Sequence, residues 1–148
     1  MNLDRLSSLP PALARLALGI VFVQSGWGKL HSLERVTAYF QELGIPLASI
    51  QAPFVATIEL VCGALLVVGL GTRLVALPLA GTMVVAILTA QRAAIGGLGD
   101  LFGLLEFAYL VILAWLIVAG GGRWSVDQYW LSRRSPRNSS AQPSPRGA

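Results

Sequence analysis

Four long stretches of the chain carry almost no charge, and they dictate what it can fold into. They run from about Leu9 to Leu30, where only Arg15 and Lys29 are charged, from Pro53 to Leu70 with Glu59 alone, from Leu74 to Ala90 with none, and from Leu101 to Ala119 with Glu106 alone. Each is about the length that crosses a hydrocarbon core of roughly 30 Å at about 1.5 Å per residue. A backbone in that medium has no water to bond, so each run must satisfy its own N–H and C=O groups as a helix. The whole chain agrees: 55% of its 148 residues are hydrophobic and 12% charged, against about 25% charged in soluble domains. The expected fold is all-α, a transmembrane four-helix bundle running up-down-up-down over residues 1–131.

Punctuation along the chain supports that layout. Pro10 and Pro11 suit a first helical turn, where a missing N–H costs little. A cleaved signal is the alternative for this first run, but Arg15 interrupts the apolar stretch and no small-x-small site precedes Lys29. Leu33, Val36, Phe40 and Leu43 share a face, so a short interfacial helix is expected over 33–43, ended by Gly44-Ile45-Pro46. Gly69 to Thr72 is a tight turn that makes the second and third spans antiparallel neighbours, and Pro78 should kink the third span or lie near its start. Gly120 to Gly122 ends the fourth. The segment 123–131, RWSVDQYWL, has the Trp and Tyr content of an interfacial anchor, and 132–148 reads as a disordered cytoplasmic tail.

The net charge of +4 does not point to nucleic acid, because Arg123, Arg133, Arg134, Arg137 and Arg146 follow the last span without interleaved aromatics on a folded basic face. These cations read as topology determinants. Arg5, Arg73 and the five tail arginines fall on one side of the bilayer, and Lys29, Arg35 and Arg92 on the other. The bias places both termini in the cytoplasm. With one cysteine, Cys62, and one histidine, His31, the chain has no intrachain disulfide, no CxxC motif and no protein metal site, and no histidine stands by Ser25 or Cys62 to activate a nucleophile. Gly96, Gly97 and Gly99 follow no strand and precede no GKS or GKT, so they do not cradle phosphate.

Chemistry is therefore sought among the intramembrane ionisable groups, which are costly in lipid and face the bundle interior. On the first helix Arg15, Gly19, Phe22, Gly26 and Lys29 form a stripe of roughly 80°. Counting axial rise from the cytoplasmic ends puts Glu59 and Glu106 at similar depths, with Arg15 about 7 Å from the level of Glu59 and Lys29 at the outer mouth. The expected interior polar cluster is Arg15, Lys29, Glu59, Glu106 and Tyr109, the last placed three residues on to bond Glu106. Two readings stay open: an Arg15–Glu59 ion pair fixing helix register, and a glutamate contacting a bound carbonyl compound. Gly19, Gly26 and Gly63 are expected helix-packing positions, and the small residues Ala52 and Ala56 on the second span and Thr82, Ala86 and Thr89 on the third read as packing faces.

The Arg15, Gly19, Phe22, Gly26, Lys29 pattern resembles the first-helix pattern of the DoxX family. It is joined by the Gly44-Ile45-Pro46 turn, Glu59-Leu60 followed by Gly63, the run Gly69 to Arg73, and GGGRWSVD from Gly120 to Asp127. The chain departs from the pattern at Gly121, where proline is common, and near Gln91 or Arg92, where a histidine often stands. The resemblance implies a four-helix protein of the bacterial inner membrane, related to the membrane subunit of a thiosulfate:quinone oxidoreductase and to thiol and oxidative-stress systems. The expected function is a membrane component of a redox system that binds a quinone or similar lipophilic molecule. It would work beside a membrane or soluble redox partner, or as a homo-oligomer, rather than as a stand-alone enzyme. It has no intrinsic cofactor, since haem-ligand pairs, cysteine clusters and nucleotide motifs are missing from the sequence. The rival expectations are a non-catalytic scaffold or assembly factor and a small-molecule transporter subunit.

Overall fold

A computed structural model of the chain describes residues 9–92, 95–122 and 125–126. Among them are six helices and no strand: α1 Leu9–His31, α2 Leu33–Glu42, α3 Ala48–Val68, α4 Thr72–Leu88, α5 Leu98–Gly103 and α6 Leu105–Ala119. The expected interfacial anchor at 123–131, apart from residues 125 and 126, and the tail at 132–148 lie outside the described residues.

Two helices, α1 with 23 residues and α3 with 21, are long and apolar enough to cross a membrane, at about 34 Å and 31 Å respectively. The shorter apolar helices α4 and α6 have 17 and 15 residues, or about 25 Å and 22 Å. The fourth run is not continuous as expected. Leu104, extended at φ −73° and ψ 134°, separates α5 from α6, so the helix that continues to Ala119 starts at Leu105. The second run starts earlier than expected, at Ala48 instead of Pro53. Leu47, the one non-glycine residue with positive φ among those described, begins the helix at φ 53°. Its carbonyl accepts from Ile50 and Gln51 at 2.9 and 3.0 Å. Pro53 then sits in the second turn, where its missing N–H forfeits one bond near the helix start.

The tightest packing is between α1 and α3. They lie antiparallel, with Gly19 against Gly63 and Val67, and Gly26 against Ala56 and Leu60. A Cβ on Gly26 would stand 2.5 Å from the Leu60 nitrogen and 2.7 Å from the Ala56 oxygen, so the two backbones touch there. Ala52 and Ala56 are fully buried at the same face of α3. On the other side α4 packs chiefly on α6. Leu18, Phe22, Leu66, Leu79, Leu113 and Leu116 close the core between the two pairs.

The pairs are joined at one end by a turn through Gly69 (φ 79°) and Gly71 (φ 62°). The N–H groups of Gly69 and Leu70 both return to the Leu65 carbonyl, at 2.8 and 3.0 Å, which ends α3 in the left-handed cap that glycine favours. The Arg15 guanidinium lies against this turn, in the space a Cβ on Gly69 would need, and donates from Nη1 to the Gly121 carbonyl at 3.0 Å. A side chain at Gly121 would run into the Thr72 hydroxyl, 2.5 Å from its Cβ. Arg15, 4% exposed, thus ties α1 to the α3–α4 turn and to the segment after α6.

Two expectations follow for thermal unfolding in mild detergent. Gly26→Ala forces backbones apart and should cost about 1–3 kcal/mol, whereas Gly28→Ala, whose Cβ meets nothing within 4 Å, should be neutral or stabilise by up to about 1 kcal/mol. Arg15→Met removes a buried donor and leaves the Gly121 carbonyl without it, and should cost about 1–3 kcal/mol. Equal melting of Gly26→Ala and Gly28→Ala would contradict the close approach.

Candidate functional site

At the end of the bundle away from Arg15, α1 presents Ser25 and Lys29 on one face, four residues apart. Glu59 faces them from α3. The Lys29 ammonium reaches both carboxylate oxygens, Oε1 at 2.5 Å and Oε2 at 2.6 Å, and the Ser25 hydroxyl donates to Oε2 at 2.8 Å. Glu59 is 2% exposed. A carboxylate at that burial is tolerable only when charge and hydrogen bonds compensate it, and here it accepts three charge-assisted contacts. The Lys29 side chain keeps 29% of its surface. An ammonium has three N–H donors, and two are directed at Glu59.

A second polar point comes from α6. Glu106 lies in its first turn, where a carboxylate is favoured by the helix dipole, and its Oε1 accepts from Gln91 Nε2 at 3.0 Å. One turn on, the Tyr109 ring meets Phe22 of α1 with centroids 6.2 Å apart.

Both points open on a cavity of about 800 Å³ whose wall is mostly apolar. Lys29, Ser25 and Glu59 contribute from the α1–α3 pair, and Glu106 and Tyr109 from α6. Val36, Tyr39 and Phe40 of α2, with Leu43 just after it, lie across it. On α4 the small residues Gly81, Thr82, Ala86 and Thr89 line it rather than filling it, so the face expected to be a packing surface borders open volume. The matching face of α3 at Ala52, Ala56 and Gly63 is buried.

Of the five residues expected in one polar cluster, four border this cavity and Arg15 does not. The expected Arg15–Glu59 pair is replaced by Lys29–Glu59, and the reason is register. Gly19 faces Gly63 and Val67, so the end of α3 is level with Arg15, not with Leu9. That leaves Arg15 about 15 Å along the axis from Glu59, beyond reach. Glu106 takes its bond from Gln91 and not from Tyr109, whose ring is turned to Phe22. Ser25 was legible, since it precedes Lys29 by four residues on the same face. Gln91 and the α2 aromatics carry no periodic signal linking them to Glu59. His31 stacks on Trp27 at 4.4 Å outside the cavity, and Cys62 packs half-buried against the core.

A membrane protein of Mycobacterium tuberculosis, "Uncharacterized membrane protein Rv3486", is 34% identical over 139 residues, covering 85% of each chain. "Putative oxidoreductase CatD" of Bacillus subtilis is 32% identical over 131 residues, covering 87% of this chain and 92% of the relative. "Inner membrane protein YqjF" of Escherichia coli is 27% identical over 127 residues, covering 85% and 95%. No solved structure matches the chain. With the DoxX family profile matching residues 11–92, more than half of its length, the chain belongs to the DoxX family of membrane proteins.

Proposed function

We propose that this protein is the membrane component of a redox system and that its cavity holds a quinone or a similar lipophilic carbonyl compound. The observation that carries the reading is the Lys29–Glu59 pair: the ammonium, held by both carboxylate oxygens, borders a largely apolar cavity of about 800 Å³. A carbonyl oxygen is the acceptor that such a donor fits. Aromatic rings of Phe22, Tyr39, Phe40, Phe54 and Tyr109 on the same wall suit a planar ring.

Bound there, a quinone would supply a couple that takes up two electrons and two protons. The chain's own part is to bind, orient and shield. Lys29 donates to one oxygen, Glu59, itself bonded by Ser25, holds Lys29 in place, and Glu106 with Gln91 presents the second polar point. The apolar wall keeps bulk water away. With one cysteine and one histidine, the chain draws its electrons from a partner protein. The relative named as an oxidoreductase supports this reading. All four long helices carry exposed apolar faces, among them Ile20, Val61, Leu77 and Val118. Such faces suit a four-span chain in a bacterial inner membrane, with both termini cytoplasmic by the placement of its cations.

The pair's structural and binding roles can be separated. Lys29→Met leaves Glu59 buried and unpaired and should cost about 3–5 kcal/mol of stability. Lys29→Met with Glu59→Leu removes both charges and should regain most of it, yet still bind a benzoquinone at least about tenfold more weakly, the loss of one charge-assisted bond. Thermal unfolding and calorimetric titration in nanodiscs read the two quantities. Undiminished binding by the double variant would sink the proposal. Native preparations should also yield a quinone on solvent extraction and mass spectrometry, and a stoichiometric protein partner without any bound small molecule would support a scaffold instead.

A further inference from the structure

The cavity wall reaches the outside of the molecule between α3 and α4. On α3 the lining residues grade from the outer surface inward: Phe54 is 63% exposed, Val55 and Ile58 are half-buried, and Glu59 is 2% exposed. The same gradient runs across α4, from Val85 at 47% and exposed Gly81, through half-buried Thr82 and Ala86, to Met83 at 8%. Phe54, Gly81 and Val85 are therefore both cavity wall and outer surface. Around them the surface is apolar, with Ile50, Leu77, Val84 and Leu88 all exposed.

Two sequence features leave this side open. Gly81 has no side chain, and a Cβ built on it meets nothing within 4 Å. Pro78, one turn earlier inside α4, removes a helical N–H and its ring crowds the preceding turn, which bends a helix. The pairs α1–α3 and α4–α6 are each more closely packed than α3 is on α4.

We propose that this gap is a lateral portal, and that the ligand is a lipid-borne amphiphile whose polar ring lies at Lys29 and Glu59 and whose hydrocarbon chain leaves between Phe54 and Gly81 into the bilayer. The inference rests on the carbonyl-binding reading above and adds the class of ligand: a chain-bearing compound taken from the membrane, not a small soluble one taken from water. The polar groups sit at the buried end of the gradient and the apolar rim at the exposed end, which is the polarity of such a molecule. A chain lying on Phe54, Gly81 and Val85 stays in an apolar phase from the cavity to the bilayer and adds packing contacts to those of the ring.

The test compares a decyl-substituted benzoquinone with the same benzoquinone lacking the chain, titrated into full-length protein in nanodiscs of one lipid composition. Gly81→Leu fills the gap in open space and replaces a helical glycine, so the fold should hold. The wild type should bind the decyl compound more tightly than the bare ring. In Gly81→Leu the affinity advantage of the decyl compound over the bare ring should fall by about tenfold or more, because the added side chain takes the space of the chain. Val85→Trp, on the exposed rim, should act likewise and serves if Gly81→Leu does not fold. Equal wild-type affinity for the two compounds, or undiminished decyl binding in both variants, overturns the portal while leaving the ring site standing. Binding of neither compound by the wild type overturns the carbonyl-binding reading together with the portal.

Discussion

Glu59 is a buried carboxylate in a helix otherwise free of charge, and the placement of α1 against α3 follows from satisfying it. An uncompensated charge in so dry a place would cost several kcal/mol, enough to threaten the fold. Lys29 and Ser25 supply the compensation, but only if α1 lies close. Glycines at 19, 26 and 63 remove the side chains that would hold the backbones apart. The charge pair and the glycine contact are two parts of one arrangement, since neither forms its geometry without the other.

The two cations on the α1 stripe serve different ends because their chemistry differs. The Arg15 guanidinium is planar and permanently charged, suited to fixed bonds in a packed site. It sits where Gly69 and Gly121 leave just the space for it. Lys29 carries a compact ammonium on a flexible stem, and it borders open volume. One end of α1 is thus sealed by close packing. The other is covered by α2, which has no buried residue and roofs the cavity without filling it.

How much of this was legible depends on the range of each interaction. The helices, the Gly69–Gly71 turn and the shared stripe on α1 are local and were readable from period and punctuation. The break at Leu104 was not, because no proline marks it and the glycines at 97, 99 and 103 signal a loose region, not a boundary. The partner of Glu59 was misassigned because register between antiparallel helices is a nonlocal quantity. Counting from assumed membrane edges set Leu9 level with Leu70, whereas close contact sets Arg15 level with Gly69. An offset of about five residues shifts the level by about 8 Å, which is enough to exchange Arg15 for Lys29. The glycines held the answer in principle: setting Gly19 between Gly63 and Val67 and Gly26 between Ala56 and Leu60, instead of matching helix ends, carries Arg15 away from Glu59 and brings Lys29 within side-chain reach of it.

The cavity itself is too large to be a packing defect. Its volume is about 800 Å³, and it reaches the outside between α3 and α4 at Phe54, Gly81 and Val85, so it is space that molecules of the surrounding phase can enter. Water alone is a poor occupant, since water in a cavity needs two to four polar partners and most of this wall offers none. A purely hydrocarbon occupant would leave the Lys29–Glu59 pair bordered by apolar matter with no acceptor to meet it. In the proposed reading the occupant is apolar over most of its surface and carries an acceptor at one end. The small residues Gly81, Thr82, Ala86 and Thr89 create the volume, and Lys29, fixed by Glu59, gives it a polarity. Shape and charge on this wall therefore select the same kind of molecule.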